Sequence, residues 1–463
     1  MTTTETTDTL DTLARRLRGE LIRPGDPGYD RARRVWNGMF DRRPAAIARV
    51  QGAVDVVAVV DHARETGSEL AVRGGGHSSA GYSTVDGGIV LDLSRMTGVW
   101  VDPQARVARA QAGALWGDVD RETQAYGLAV PGGQISHTGI AGLTLGGGVG
   151  WLSRRHGLTI DNLVSAEVVT ADGRLVTASA TEHPDLFWAL RGGSGNFGVV
   201  VSFAYRLHEV GPLVLGGPVV YSLDDAPAAL RNARAALAAA PDDVSLWLSF
   251  THVPPHAPFP RERWGETVLA VVPFCADLER GPRLLAPFTS FGRPLANLNG
   301  PLPYTALQSA LDEVDPHGNR YWERGDYLAD LSDAAVEALL HGARSMTSPL
   351  SEILVFPLGG AIARVPAGAT AFGDRTAPWA VWVVGQWTDP AEDDRHRDWT
   401  RAVSDSLAPF TTGGVYVNAI GGEVTEARRL AAYGGPAKLD RLRRVKRRYD
   451  PGNLFHLNAN IEP

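Results

Sequence analysis

The sequence predicts an α+β protein in two main parts, on three observations. Short β-type runs alternate with helical segments in the first half, two glycine-rich blocks interrupt that half, and longer extended runs mix with helices from residue 213. A chain of 463 residues also exceeds one average domain of about 150 residues. We expect an N-terminal segment (1–40), a first domain (41–211), a second domain (212–413) and a C-terminal segment (414–463).

Composition excludes several classes of protein. The net charge of −7 gives no basic field for nucleic acid, and the hydrophobic content of 44% supports a large core. Cys275 is the only cysteine, which rules out an internal disulfide and a cysteine-based zinc site. The polar N-terminus lacks the apolar core of a signal peptide, and no window approaches about 18 apolar residues. We expect a cytoplasmic protein with no membrane span, no metal site and no nucleic-acid partner.

The first elements predict one β-α-β unit. Residues 1–9 suggest a disordered tail, and Thr12 to Leu21 a short helix. Ala45 to Val50 is strand-like, Val54 to Thr66 has helical spacing, and Leu70 to Val72 is a second strand.

The first glycine-rich block follows that second strand directly, as Arg73, Gly74, Gly75, Gly76 and His77. Glycines have no Cβ, so their backbone can take positive φ and lie against a ligand. Successive N–H groups then form a nest suited to a pyrophosphate. The alternative is a glycine-rich hairpin with an incidental histidine, closed by the next extended run.

The second glycine-rich block, Val130 to Trp151, is too dense in glycine for an ordinary strand or helix. It predicts close approach of the backbone to a planar or phosphate-bearing ligand, with a loop under a lid as the alternative. After it, Asp172-Gly173 predicts a hairpin between strands Leu163 to Thr170 and Leu175 to Ala178.

Residues 193–198 fit the dinucleotide pattern GxGxxG, but in the wrong context. That motif needs a strand before it and a helix after it. Here a helix, Pro184 to Leu190, precedes it and a strand, Val199 to Leu207, follows. We therefore reject a Rossmann fold.

The second half predicts an antiparallel sheet covered by helices. Its extended runs are Leu246 to Thr251, Val268 to Phe274, Ile353 to Phe356 and Ala380 to Trp387, and its helices are Ala226 to Ala239, Asp333 to Ser345 and Asp394 to Leu407. Tryptophans concentrate here, and a few could line a pocket for a flat or apolar substrate. Near the C-terminus, a basic helix (Ala437 to Arg448) predicts a solvated charged face.

Together these stretches resemble the FAD-linked oxidases of the berberine-bridge-enzyme type, within the vanillyl-alcohol-oxidase superfamily. The resemblance covers nearly the whole chain and is nearest to the bacterial branch that includes hydroxynicotine oxidase and polyketide-tailoring flavoenzymes. It rests on RGGGHSSAGY (73–82), PGGQISHTGIAGLTLGGGVGWLSRRHGLTIDN (131–162), HPDLFWALRGGSGNFGVV (183–200), YVN (416–418) and YDPGNLFHLNANI (449–461). It implies a two-part FAD-binding domain of the PCMH type, to which the C-terminal segment returns, and a separate substrate domain.

The resemblance assigns the cofactor and its attachment. His77 matches the histidine that bonds covalently to the flavin 8α-methyl group, and Gly74 to Gly76 would hold the pyrophosphate. Many relatives carry a second link from a cysteine where this chain reads Gln134 to His137. We therefore expect FAD attached through His77 alone. Further FAD contacts are implied for Arg73, Ser78, Gly81, Tyr82, Pro131, Gly132, Thr138, Gly139, Gly142, Leu143, Gly146, Gly147, Gly148, Gly150, Trp151, Asn196, Phe197, Val199, Tyr416, Asn418 and Asn458.

Three residues are candidates for catalysis. Tyr416 matches a tyrosine base of several relatives, although a phenol with a pKa near 10 needs a special setting to act at neutral pH. Thr138 matches the residue that gates oxygen, the alternative being a local turn hydroxyl. Glu352 is the acidic candidate of the second domain, but Leu354 is nearer the matching position, so a surface acid is the alternative.

The function implied is oxidation of a small or polycyclic secondary metabolite, with O2 as the electron acceptor, by a monomer or homodimer. Alternatives within the enzymes are an oxygenating flavoenzyme of polyketide tailoring and an oligosaccharide oxidase. The latter is disfavoured by the missing cysteine and by Ser79, where a pocket tyrosine is common. From another class, the chain could bind flavin or a metabolite without turning it over.

Overall fold

The computed structural model describes residues 3–256, 258–421 and 425–463. Its first sheet has four strands in the order β1-β2-β4-β3. Strand β4 pairs in parallel with both β2 and β3, so it lies between the two strands of the predicted β-α-β unit. The hairpin alternative is therefore wrong, because a hairpin needs antiparallel strands. The elements are α1 (Thr3–Arg16), β1 (Glu20–Ile22), α2 (Tyr29–Ala32), β2 (Ala46–Arg49), α3 (Ala53–Thr66), β3 (Leu70–Arg73) and β4 (Ile89–Asp92).

The prediction for the N-terminus was wrong. Helix α1 begins at Thr3, and residues 20–22 form strand β1, which pairs with β2. Leu10 and Leu13 are buried in the core of the first half. Tertiary burial thus stabilises a threonine-rich segment that has little helix propensity of its own. Residues 1–2 of the expected tail lie outside the described residues.

The second sheet has five strands in the order β5-β6-β10-β8-β9. Strands β8 and β9 form the predicted antiparallel hairpin, and α7 precedes the GxGxxG segment while β10 follows it, as the rejection of a Rossmann fold required. The elements are β5 (Val99–Asp102), β6 (Val107–Gln111), α4 (Trp116–Gln124), β7 (Leu128–Ala129), α5 (Ile140–Gly146), α6 (Ser153–His156), β8 (Leu163–Val169), β9 (Leu175–Ser179), α7 (Pro184–Leu190), β10 (Val199–Arg206) and β11 (His208–Glu209).

Helix α5 corrects the expectation that the second glycine-rich block holds no ordinary helix. Ile140, Ala141 and Leu145 of this helix are buried. Their packing outweighs the poor helix propensity of the glycines between them.

The third sheet has ten antiparallel strands, in the order β16-β13-β15-β14-β19-β20-β18-β21 with β12 and β17 at one side. Helices α8, α9, α11 and α13 pack on one face, so the predicted antiparallel sheet covered by helices is confirmed. The elements are β12 (Leu213–Gly216), β13 (Val219–Ser222), α8 (Ala226–Ala239), β14 (Val244–His252), β15 (Thr267–Cys275), α9 (Gly281–Thr289), β16 (Ala296–Asn297), β17 (Gly300–Pro303), α10 (Tyr304–Gln308), β18 (Arg320–Leu328), α11 (Asp333–Arg344), β19 (Glu352–Pro357), α12 (Ala361–Arg364), β20 (Trp379–Trp387), α13 (Asp393–Leu407) and β21 (Thr411–Val415).

The C-terminal segment packs on the core of the first half through α14 (Glu426–Ala432), α15 (Pro436–Tyr449) and the residues after them. Lys446 departs from the solvated face expected of α15, because its side chain is fully buried. Its Nζ donates to Asp450 Oδ2 at 2.7 Å, to the Asn196 carbonyl at 2.8 Å and to the Phe455 carbonyl at 2.9 Å. No helix in the described part of the chain is long and apolar enough to cross a membrane.

Candidate active site

A cavity of about 370 Å³ lies where the two glycine-rich blocks, the third sheet and the C-terminal segment meet. Each of these four parts contributes residues to its wall. The cavity therefore joins the regions that the sequence singled out separately.

Two glycines let the glycine-rich blocks touch each other. A Cβ on Gly75 would lie 2.4 Å from the Gly139 nitrogen, and a Cβ on Gly139 would lie 2.3 Å from the Gly75 nitrogen. Neither backbone can give way, so no larger residue fits at either position. At Gly142 and Gly195, by contrast, a Cβ would meet nothing within 4 Å. These two bare stretches of backbone open onto the cavity.

Several buried polar atoms on the cavity wall have no hydrogen-bond partner within the described chain. They include Gln134 Nε2, Ser83 Oγ and Asn458 Oδ1. Buried polar groups are normally paired, so such atoms indicate a lining suited to a polar ligand. Together with the open glycine backbone, this polar lining fits the FAD that the resemblance implies.

His77 lies on the wall and is held from three sides. Its Nε2 is 3.0 Å from His137 Nδ1 and 3.5 Å from Asp315 Oδ2. The Trp36 ring stacks on the imidazole, with centroids 4.4 Å apart and planes at 18°. Burial, with His137 and His317 nearby, holds the pKa of His77 well below its usual range. The ring is therefore neutral at physiological pH, and a neutral imidazole is a nucleophile.

The same neighbourhood has the spacing of a metal site, which the sequence did not predict. One ligand atom from each of His77, His137 and His317 lies within 4.8 Å of the others. These residues are far apart in the chain, so no local sequence motif predicts the cluster.

The third sheet presents two carboxylates to the cavity. Glu323 on β18 and Glu352 on β19 are both paired with Val384 on β20, which lies between those strands. Directly paired residues share a face of a sheet, so the two acids flank Val384 on the cavity side. Leu354 and Trp382, which pair with each other, continue the same face.

Burial raises the pKa of Glu323 to about 7 and that of Glu352 to about 7. Burial and the facing carboxylates of Glu323, Glu352 and Asp312 raise the pKa of Asp315 well above its usual range. In the described chain, no lysine or arginine lines the cavity to offset these acids. A carboxylate with a pKa near 7 is suited to general-base work at neutral pH.

Tyr416 has a different setting. Its hydroxyl accepts hydrogen bonds from the Gly148 N–H at 2.9 Å and from Asn418 Nδ2 at 3.0 Å. Burial nevertheless raises the pKa of Tyr416 to about 12, so the phenol is protonated at neutral pH. With two bonds accepted, its own hydrogen remains available to donate.

The structure brings together a little over half of the residues that the sequence named. On the cavity wall are Gly74, Gly75, Gly76, His77, Ser78, Tyr82, Thr138, Gly139, Gly142, Leu143, Val199, Glu352, Tyr416, Asn418 and Asn458. Outside the lining are Arg73, Gly81, Pro131, Gly132, Gly146, Gly147, Gly148, Gly150, Trp151, Asn196 and Phe197.

The residues outside the lining support the wall from behind. Arg73 forms a buried ion pair with Asp92 at 2.9 Å, Trp151 packs near Trp247 with ring centroids 5.9 Å apart, and the Asn196 side chain accepts from the Ile461 N–H at 2.9 Å. Their roles in FAD binding stay predictions.

Sequence reasoning missed Glu323, Asp315 and Trp36, all on the cavity wall. For Glu323 a signal existed in the sequence. Arg320, Arg324 and Asp326 alternate along β18 with Tyr321, Gly325 and Tyr327, and Glu323 falls in the second set, which is buried in the structure. An acid on the apolar side of an alternating strand marks an inward-facing carboxylate. For Asp315 and Trp36 the sequence offers no such pattern.

Comparison with known proteins agrees with this geometry. The family model described as "FAD binding domain" matches residues 44–179, and "Berberine and berberine like" matches residues 415–462. The chain is 31% identical to (R)-6-hydroxynicotine oxidase of Paenarthrobacter nicotinovorans, over 96% of this chain and 97% of that protein. An FAD-dependent monooxygenase of Fusarium proliferatum is 45% identical, over 39% of this chain and 35% of that protein.

Among solved structures, 6-hydroxy-D-nicotine oxidase of Arthrobacter nicotinovorans matches with a TM-score of 0.87 at 29% identity, over 96% of this chain and 98% of that one. Fold and cavity define an FAD-linked oxidoreductase with a PCMH-type flavin domain. The chain belongs to the berberine-bridge-like family of these enzymes.

Proposed function

We propose that this enzyme oxidises a small or polycyclic metabolite and uses O2 as its electron acceptor, with FAD bonded to His77 alone. The observation that carries the proposal is a single cavity with a neutral His77 at the glycine-lined wall and two carboxylates with pKa values near 7 on the opposite sheet. When bound, FAD would supply the redox chemistry: it would accept a hydride from the substrate, and O2 would take up both electrons with two protons as H2O2.

Residues of the chain bind the cofactor, remove the substrate proton and orient the substrate. The bare backbone at Gly142 and Gly195 and the polar edge of Asn458 hold the cofactor. Glu352 removes the substrate proton, helped by Glu323 across Val384, because half of such a group is ionised near pH 7. Tyr416, with a pKa about 12, orients the substrate by donating its hydrogen.

Thr138 lies on the cavity wall beside Gly139. Its side chain is small enough to leave room for O2 at this point. We propose that Thr138 sets the access of O2, as the sequence suggested.

The attachment is tested on the purified wild-type protein. We expect a yellow protein whose flavin stays with the acid precipitate, and a His77→Ala variant whose flavin moves to the acid supernatant. Recovery of all wild-type flavin in the supernatant would reject the covalent bond.

The reaction is tested with a panel of aromatic alcohols, phenols and amines. A turned-over compound should bleach the flavin without air and yield one H2O2 per product when air is admitted. Glu352→Gln should lower the rate of bleaching by about 10²-fold or more, while the exposed control Glu337→Gln leaves it unchanged.

An oxygenating flavoenzyme is the second candidate, favoured by the partial identity to the Fusarium monooxygenase. Reaction under ¹⁸O2 separates the two. An oxidase places the label in H2O2, whereas an oxygenating enzyme places one atom in the product.

A further inference from the structure

We propose that His137 and Asp315 are positioning residues that hold His77 for its bond to FAD. The inference rests on the proposed single attachment through His77. It assigns a role to two side chains that lie beside the attachment point and that have no part in the proposed reaction with substrate.

Both residues face the same nitrogen of His77. His137 Nδ1 lies 3.0 Å from His77 Nε2, and Asp315 Oδ2 lies 3.5 Å from that atom. A neutral imidazole has one N–H and one lone pair, and the hydrogen bond at one nitrogen decides which is which. The proposal assigns the proton to Nε2, where His137 Nδ1 accepts it. The lone pair is then on Nδ1, which is the nitrogen left to form the bond.

The plane of the ring is fixed as well. Trp36 stacks on both His77 and Tyr321, with centroids 4.4 Å and 3.7 Å apart. The Trp36 indole N–H donates to the backbone carbonyl of Asp315 at 3.2 Å. The stacked rings and Asp315 are thus connected, which restrains the plane of the imidazole.

The bond itself requires a place for a proton. His77 Nδ1 would bond to the 8α-methyl carbon of FAD as a C–H bond of that methyl group breaks, and the electron pair and the proton of that bond would pass to the flavin ring, which is thereby reduced. The ring of His77 becomes positive as the bond forms and must lose the proton on Nε2. His137 Nδ1 accepts that proton, and the Asp315 carboxyl group beside Nε2 keeps the ring in place meanwhile. O2 then reoxidises the flavin by taking two electrons and two protons as H2O2, which completes the balance.

His317 provides a matched control. Its ring is 6.0 Å from that of His77 and meets it edge-on, and it lies 5.0 Å from the ring of His137. It is a histidine of the same cluster, but its contact with His77 is through ring edges rather than a bond to Nε2.

The experiment compares total bound flavin with flavin retained after acid precipitation, in protein purified with its flavin and then kept in air with added FAD. In His137→Ala we expect total flavin to persist while covalent flavin accumulates about tenfold more slowly, the effect of one lost charge-assisted hydrogen bond. Asp315→Asn should slow accumulation by a smaller factor. His137→Asn, which keeps an acceptor near the Nδ1 position, and His317→Ala should behave like the wild type.

Chemical rescue separates positioning from a structural role. Added imidazole should restore covalent attachment in His137→Ala, whereas a merely misfolded variant would not respond. Unchanged covalent flavin in both His137→Ala and Asp315→Asn overturns the inference while the proposed attachment stands. Wild-type protein without covalent flavin rejects the attachment itself. One equivalent of a divalent metal in the purified wild type, lost equally in His137→Ala and His317→Ala, would show a metal site instead and also overturn the inference.

Discussion

The two walls of the cavity are built on opposite principles. The wall of glycine-rich blocks uses backbone: Gly75 and Gly139 touch, and Gly142 and Gly195 leave their main chain bare. The sheet wall uses side chains that the register of the strands brings together. Glu323 and Glu352, for example, both pair with Val384. Where the two backbones touch, at Gly75 and Gly139, no side chain fits, and this wall is visible as a sequence motif. The sheet wall has no motif, although its side chains set the chemistry.

The largest expected effect comes from Gly75→Ala. Its Cβ would overlap the Gly139 backbone, which cannot move aside, so we expect a loss above about 3 kcal/mol and little folded protein. Gly142→Ala meets no such overlap and should keep the wild-type unfolding temperature of the protein stripped of flavin, while lowering bound flavin. Urea unfolding and flavin content of both variants make the comparison. Equal losses of stability in Gly75→Ala and Gly142→Ala would contradict the difference in packing between these two positions.

Lys446→Met tests the tie between the walls and the C-terminal segment. Lys446 is buried and bonds the Asn196 and Phe455 carbonyls as well as Asp450. Removing one partner of a buried ion pair costs about 3–5 kcal/mol. We expect a loss of that size in urea unfolding, together with weaker flavin retention, because Phe455 and Asn458 line the cavity. The exposed Arg447→Met is the control and should change neither measurement.

Glu323→Gln tests the sheet wall through the pH dependence of stability. The pKa of Glu323 rises from 4.5 to about 7 on folding, so the folded state binds this proton more tightly than the unfolded state. The free energy of unfolding therefore falls as pH rises from about 4.5 to about 7, and stays lower above that. The glutamine variant escapes this loss and should gain about 1–3 kcal/mol over wild type at pH 8 but not at pH 4.5. A gain of equal size at both pH values would contradict the burial of an ionisable group there.

Tyr416→Phe tests turnover more than stability. It leaves the Gly148 N–H and the Asn418 amide without their acceptor, a cost of about 1–3 kcal/mol. We expect covalent flavin to persist and substrate turnover to fall, since the phenol orients the substrate rather than removing its proton. Flavin retention and the pH profile of turnover are the measurements. If the turnover of this variant no longer rose with pH near 7, Tyr416 rather than Glu352 would be the base.

The same contrast explains what the sequence could predict. The glycine blocks, the hairpin at Asp172-Gly173 and the order of elements around residues 193–198 follow from local backbone preferences, and all are found. Helix α1 was mistaken because its stability comes from Leu10 and Leu13 in the core, which local composition does not show. Helix α5 was missed for the same reason.

Site residues on strands could be predicted only in part. Glu352 was named, yet its place beside Val384 depends on register across three strands. The cluster around His77 joins residues 36, 137 and 315, which lie outside the strands and come together from distant parts of the chain. No pattern of spacing carries that information.

The alternation along β19 and β20 has an evolutionary consequence. Ile353, Val355, Val381 and Val383 point into the core beneath the helices, while Leu354, Trp382 and Val384 point into the cavity. Because neighbours in the chain belong to separate environments, mutation can remodel what the enzyme accepts without loosening the hydrophobic layer that keeps it folded. Related enzymes can therefore differ in their substrates while they keep the same fold.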